Sequence, residues 1–275
     1  MNKTELNKAT TVFMFEFKRH LKLMIFWGLI FASMAVMLIA LFGTIKEQAA
    51  QMTEVLKGFP PELLEAFGSD AKTLVEFKGY YNTKFLSTLI IINSIIGGYI
   101  LNRMIVKELN DGSVFILFLK KIKRQNIFLT KFAAFVILLG ISNLVVLLIS
   151  SLSSKFLGSE NAFYPQFFLA AFSASFIVQI LFSVIAMFVG LVKSEGTALF
   201  AGIALTLGSF MVDTLSRIPG VPEFVRYLTP FYYLDLNGIT NTSSLKPENI
   251  IVLIVAIVIL VVLSLVRYKT KEVQL

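Results

Sequence analysis

Polar and apolar residues in this chain are segregated into long blocks. Charge-free apolar runs near the length of a membrane-crossing helix recur six times, near residues 23–42, 85–102, 132–154, 166–192, 196–212 and 250–266. A hydrocarbon core about 30 Å thick needs about 20 apolar residues of helix. Within each run the apolar residues are consecutive, whereas a barrel strand would alternate polar and apolar positions. The pattern predicts an all-α, polytopic membrane protein with six transmembrane helices in one transmembrane domain over 1–275. The fifth and sixth runs, about 17 residues each, lie at the short end of the spanning range, so extension beyond these limits or partial re-entry are both open.

Between the runs, three segments carry further patterns. Over residues 4–22, Leu6, Ala9, Phe13, Phe17 and Leu21 recur at spacings of three and four, with Lys8, Lys18, Arg19 and Lys22 off that stripe. This predicts an amphipathic N-terminal helix over 1–22, lying in the membrane interface and leading into an uncleaved first span. In the loop after the first run, Pro60 and Pro61 precede an apolar-acidic stretch that ends at Gly68, the asymmetry of a short helix. In the segment 213–249, two proline-punctuated apolar stretches flank Arg226, with Tyr227, Tyr232 and Tyr233 beside them. Short helices dipping into the membrane, or an ordinary folded loop, both fit this pattern.

Composition agrees with the block pattern, with 56% of the 275 residues hydrophobic and 15% charged, against about 25% charged in soluble domains. Sixteen of the 25 Lys and Arg, but only six of the 17 acidic residues, fall on the side that holds both termini. The positive-inside rule makes that side the cytoplasm of a plasma-membrane protein. Loop cations meeting anionic lipid account for the +8 net charge without nucleic acid as a partner.

The chemistry-bearing residues are few. There is no cysteine, and the sole histidine is His20, so neither a thiolate nor a metal-binding H-E-x-x-H helix is available and no catalytic or metal residue is expected. No phosphate-binding loop G-x-x-x-x-G-K-[ST] occurs, so the chain is expected neither to be an ATPase nor to bind a cofactor itself. The polar residues within the runs are Asn93, Asn143, Gln179 and several serines. They can line a pathway or bond neighbouring helices. Gly97 and Gly98 point to close helix packing. Phenylalanine, 27 in number, suits either an apolar cargo or lipid.

The segment 107–131 is the most informative. It is basic, yet Val114 to Leu119 form an apolar run too short to span, which predicts a short helix along the membrane presenting a face to a partner. It reads Lys107-Glu108-Leu109-Asn110-Asp111-Gly112-Ser113, then passes Phe115 and Leu117 to Arg124 and Lys131. This resembles the ABC type-2 permease family, whose loop here carries an acidic residue, an acidic-Gly-Thr/Ser triplet, a leucine pair, Pro-x-x-Arg, and a lysine seven residues on. Lys121 stands where that family usually has proline. Tyr227-Leu228-Thr229-Pro230-Phe231 is similar to the family's element before its last span, and the stretch beginning at Pro61 to its first outer loop.

The resemblance implies a permease subunit of an ABC exporter, paired with a second permease subunit, identical or related, and with two copies of an ATP-binding subunit that hold ATP and Mg. Glu108, Asp111, Gly112, Ser113, Phe115, Leu117, Arg124 and Lys131 would then form the coupling loop contacting that ATPase, with the N-terminal helix as a second contact. Cargo would be an amphipathic peptide or a hydrophobic drug. A secondary transporter or channel, or a membrane-embedded assembly factor, is the alternative; ionisable groups within the spans would favour the former, and the six runs are free of charge, with Asp213 and Arg103 only at their edges.

The charge asymmetry fixes an orientation that can be measured. In intact cells, Lys72→Cys and Ser243→Cys should react with an impermeant thiol reagent and Lys121→Cys should not. Labelling at position 121 from outside would reverse the orientation.

Overall fold

The computed structural model describes residues 3–56, 76–114, 122–157, 163–216 and 221–271. Among these there is no strand, and six helices are long and apolar enough to cross a membrane. The chain is a multi-pass, all-α membrane protein. The helices are α1 (Lys3–Leu56), α2 (Phe77–Asn110), α3 (Arg124–Leu157), α4 (Pro165–Val192), α5 (Glu195–Leu215) and, last in the chain, α8 (Pro247–Thr270). Between α5 and α8 lie a 3₁₀ turn (Glu223–Leu228) and two short helices, α6 (Pro230–Leu234) and α7 (Leu236–Thr242). An even number of crossings puts the starts of α1, α3 and α5 and the ends of α2, α4 and α8 at one end of the bundle, here the terminal end.

The amphipathic start is not a separate helix. α1 runs unbroken for 54 residues, about 80 Å at 1.5 Å per residue. No proline occurs before Pro60, and neither Gly28 nor Gly43 alone is strong enough to end a helix rich in Leu, Met, Ala, Lys and Glu. Its inward face also differs from the apolar stripe expected. The buried line is Val12, Glu16, His20 and Met24 at a spacing of four, with Phe13, Phe17 and Leu21 packed along its flank.

α4 is the centre of the bundle and packs on α2, α3, α5 and α8. Its fit against α2 depends on small residues, as helix contacts in lipid commonly do. A Cβ on Gly98 would stand 3.1 Å from the Cβ of Ala186, and one on Gly97 only 2.5 Å from the Ser183 hydroxyl. The phenylalanines of α4 go chiefly to the core, where Phe167, Phe168, Phe172 and Phe182 are buried. At the end opposite the termini, Phe168 meets the rings of Phe77 and Tyr81 edge-on, Phe167 meets Tyr81, and Tyr81 in turn packs on Phe85.

The segment before α8 folds into the bundle. Thr229 caps α6, accepting from the Tyr232 N–H through its hydroxyl, and Pro230 opens it, the arrangement expected of a helix start. Phe231, Leu234 and Ile239 are buried, and the Phe231 ring meets Phe182 of α4 at 5.7 Å and Phe210 of α5 at 5.6 Å. Asn82 of α2 holds α7 through the Leu236 carbonyl at 3.0 Å and the Thr240 hydroxyl at 2.8 Å. By contrast α8 keeps most of its length exposed, with 11% of its most apolar stretch buried, and α5 is little better covered at 22%. Those surfaces suit lipid or another apolar helix. The short helix expected after Pro60 and the run Phe115 to Leu119 lie outside the described residues.

Candidate functional site

The terminal end of the bundle is organised around one lysine. Lys131, in the second turn of α3, is 1% exposed. Its ammonium donates to Glu16 Oε1 of α1 at 2.7 Å, to the Met104 carbonyl of α2 at 2.8 Å, and to Glu108 Oε2 near the end of α2. Three N–H donors thus meet three acceptors on two other helices. The Met104 carbonyl lies in a π-helical stretch, Arg103–Lys107. Such a turn widens the helix and changes which carbonyls remain open to side chains.

Charges extend outward from Lys131. Arg19 Nη1 donates to Glu108 Oε1 at 2.7 Å, and His20 Nε2 stands 3.6 Å from Glu16 Oε2. Glu16 and Glu108 are therefore balanced by the buried Lys131 and, at the outer edge of the network, by the exposed Arg19. A buried ion pair of this kind adds little net stability over well-packed apolar groups, but removing one partner strands the other charge. The network joins α1, α2 and α3 at fixed register.

Beyond Glu108 the chain turns. Gly112 takes the left-handed conformation at φ 73, which ends a helix with no side-chain clash. Asp111 Oδ1 accepts from the Ser113 N–H at 3.0 Å and its hydroxyl at 2.7 Å. Partial burial pushes the Asp111 carboxyl up, but the hydrogen bonds from Ser113, with the charges of Lys107 and Arg19, outweigh it and hold the group below the ordinary carboxylate range. The turn is thereby fixed as the chain enters 115–121.

After that stretch, Arg124 donates through Nη1 to the carbonyls of Lys269 and Lys271, at 3.0 and 3.1 Å. A guanidinium here caps the end of α8 and meets the negative end of its dipole. Phe128 and Tyr268 pack their rings at 5.4 Å just behind. The residues before 115–121 are thus held by the α1–α2–α3 network, and those after it at the α3–α8 contact.

Of the residues read as partner contacts, Asp111 and Ser113 are exposed and Gly112 is half-buried. Arg124 and Lys131 are turned inward onto the chain itself, so the role the structure gives them is positioning; Lys131 is too deep to touch a partner. Phe115 and Leu117 lie outside the described residues. The sequence reading missed Glu16 and His20, which an apolar stripe cannot reveal. Their signal was an i, i+4 pair in line with Val12 and Met24.

The three amides in the spans come together. Asn93 of α2 and Asn143 of α3 both donate to Gln179 Oε1 of α4, at 3.2 and 2.8 Å, and all three are buried. Here they bond helix to helix. Gln179 Nε2, Asn93 Oδ1 and Asn143 Oδ1 have no hydrogen-bond partner among the described residues.

Two open grooves flank this core. One, about 580 Å³, lies at the terminal end between α1 and the end of α2, with Arg19, Arg103 and Lys107 beside Val12, Phe15 and Ile122. The other, about 570 Å³, lies at the opposite end beside α6 and α7, where Lys246 and Asp235 pair at 2.6 Å. Neither a model of a known protein family nor a curated protein matches the chain.

The network makes a direct prediction. Lys131→Met should leave Glu16 and Glu108 facing each other without their shared cation, costing about 3 to 5 kcal/mol, read as a clear fall in the unfolding temperature of the purified protein. Adding Glu16→Gln to Lys131→Met should recover part of the loss. An unchanged melting temperature for Lys131→Met would show that the network holds nothing together.

Proposed function

We propose that this chain is the permease subunit of an ABC exporter, working with a second permease subunit and with two copies of a separate ATP-binding subunit that bind ATP and Mg. The observation that carries the reading is that the residues flanking 115–121 on both sides are fastened to the bundle. The resemblance in the motif from Glu108 to Lys131 marks this segment as the coupling loop, and the two ends of the loop are anchored by the motif's own residues. Glu108 and Lys131 join in the buried network, Asp111, Gly112 and Ser113 shape the turn, and Arg124 fastens the return to α8. A loop that must pass the stroke of an ATPase to spans needs such rigid roots, because a soft connection would absorb the movement.

In this reading both termini face the cytoplasm of a plasma-membrane protein, as the lysine and arginine asymmetry indicates. Pushing on the coupling loop would move α2 and α3 directly, α1 through Glu16 and α8 through Arg124. The exposed apolar faces of α5 and α8 offer room for the second permease subunit. Alternation between inward and outward openings would then be a rocking of two halves, with an amphipathic peptide or hydrophobic drug as cargo.

The experiment is hydrolysis with and without a partner. The purified chain alone should show no ATPase activity. Affinity capture from its native membranes should bring down a protein with a phosphate-binding loop and no spans of its own, and the captured complex should hydrolyse ATP. Transport by the chain alone in proteoliposomes, driven by an ion gradient, would instead support the secondary-transporter reading.

A further inference from the structure

We infer that the groove at the terminal end, between α1 and the end of α2, is a binding site for the headgroup of an anionic phospholipid. Its charge is the first reason. Lys8, Arg19, Arg103 and Lys107 line it, and Lys131 lies directly behind. Against these five cations stand three carboxylates, Glu16, Glu108 and Asp111. Two of the three are occupied by Lys131 and Arg19, and the third accepts both hydrogen bonds from Ser113. The surplus is positive, and the donors are suited to phosphate. Each guanidinium carries five N–H groups. Arg19 directs Nη1 at Glu108 and Arg103 directs Nη1 at the Tyr99 hydroxyl at 3.0 Å, which leaves each with further donors and a planar fork that matches phosphate oxygens.

The second reason is the apolar half of the groove, which separates a lipid from a free anion. Val12 and Ile122 form its buried wall, while Phe15 stands 62% exposed with Arg19 over its ring at 5.9 Å. Tyr99, one turn before Arg103, is 39% exposed on the side of α2. Tyrosine is a residue type enriched at membrane–water interfaces, and the exposed Phe15 adds apolar surface at the same end of the bundle. A phosphate held by Arg19, Arg103 and Lys107 would leave its glycerol and acyl carbons lying along Phe15 and Tyr99. Such a lipid would bridge the start of α1 and the end of α2, the two elements that the Glu16–Lys131–Glu108 network joins from within. The inference does not depend on the exporter reading.

The test is native mass spectrometry of the full chain in detergent, incubated with equal amounts of phosphatidylglycerol and phosphatidylcholine of matched acyl chains. The wild type should retain one phosphatidylglycerol in preference to phosphatidylcholine. The pair Arg103→Ala with Lys107→Ala should weaken that retention about tenfold or more, since each cation near an anionic headgroup counts for about a fivefold factor. Arg103→Lys, which keeps the charge but loses the planar fork, should weaken it less than the double variant does, and Lys193→Ala, elsewhere at the same end, should change nothing. Phe15→Ser, at an exposed position that folding does not need, should weaken the lipid without the charge change. Equal retention of the two lipids, or full retention by both the double variant and Phe15→Ser, would overturn the site. So would displacement of the lipid by inorganic phosphate at equal concentration, since the groove would then read the anion alone. Loss of protein-partner capture in the double variant with unchanged phosphatidylglycerol retention would assign the groove to a protein instead.

Discussion

A single buried ammonium, that of Lys131, sets the register of three helices at the terminal end of this protein. In lipid the hydrophobic effect does little to press one spanning helix against another, so packing and polar contacts between helices decide where each one stops sliding. Glu16 of α1, the Met104 carbonyl and Glu108 of α2, and Lys131 of α3 can meet in only one register. Much else follows from that constraint. α1 must remain helical through residue 16 to present its glutamate, and the π-helical stretch Arg103–Lys107 must place Met104 within reach. The turn at Gly112 begins from a fixed point. The value of the network lies in this specificity, since apolar replacements of similar size would give comparable stability.

The two ends of the bundle are held by different chemistry. Ions lock the terminal end, whereas rings close the other, where Phe77, Tyr81, Phe85, Phe167 and Phe168 interleave and Tyr81 donates to the Ser150 hydroxyl at 2.8 Å. Between them the Asn93–Gln179–Asn143 amides tie α2, α3 and α4 near mid-length. These ties converge on α2, α3 and α4, which form the firm part of the molecule. α5 and α8 lean on it with most of their apolar surface uncovered.

The spans were legible in the sequence because their signal is additive, about 20 apolar residues in a row regardless of partner. What the sequence hid was pairing. The stripe Phe13, Phe17 and Leu21 marked the apolar face of an interfacial helix, yet the buried line carries Glu16 and His20, since a charge is buried only when a partner far along the chain meets it. Lys131 and Arg124 were visible as motif residues but not as inward-facing ones, for the same reason. The phenylalanines of α4 could have faced lipid or cargo; neighbours from α2 and α6 enclose Phe167, Phe168 and Phe182 instead. Asn93, Asn143 and Gln179 were recognisable by residue type, while their mutual contact spans 86 positions. The unbroken length of α1 was hidden by a change of pattern, from amphipathic to wholly apolar, with no breaking residue between the two.

Under the proposed function, the segment following Glu108 transmits force from a separate ATPase into spans whose register Lys131 fixes. The most direct measurement is capture of the ATP-binding subunit by Phe115→Asp or Leu117→Asp variants, with membrane insertion of each variant measured alongside. A charge placed in a contact that desolvates it is costly, so the account predicts normal insertion together with loss of the ATP-binding subunit. Normal insertion with undiminished capture and transport would contradict it.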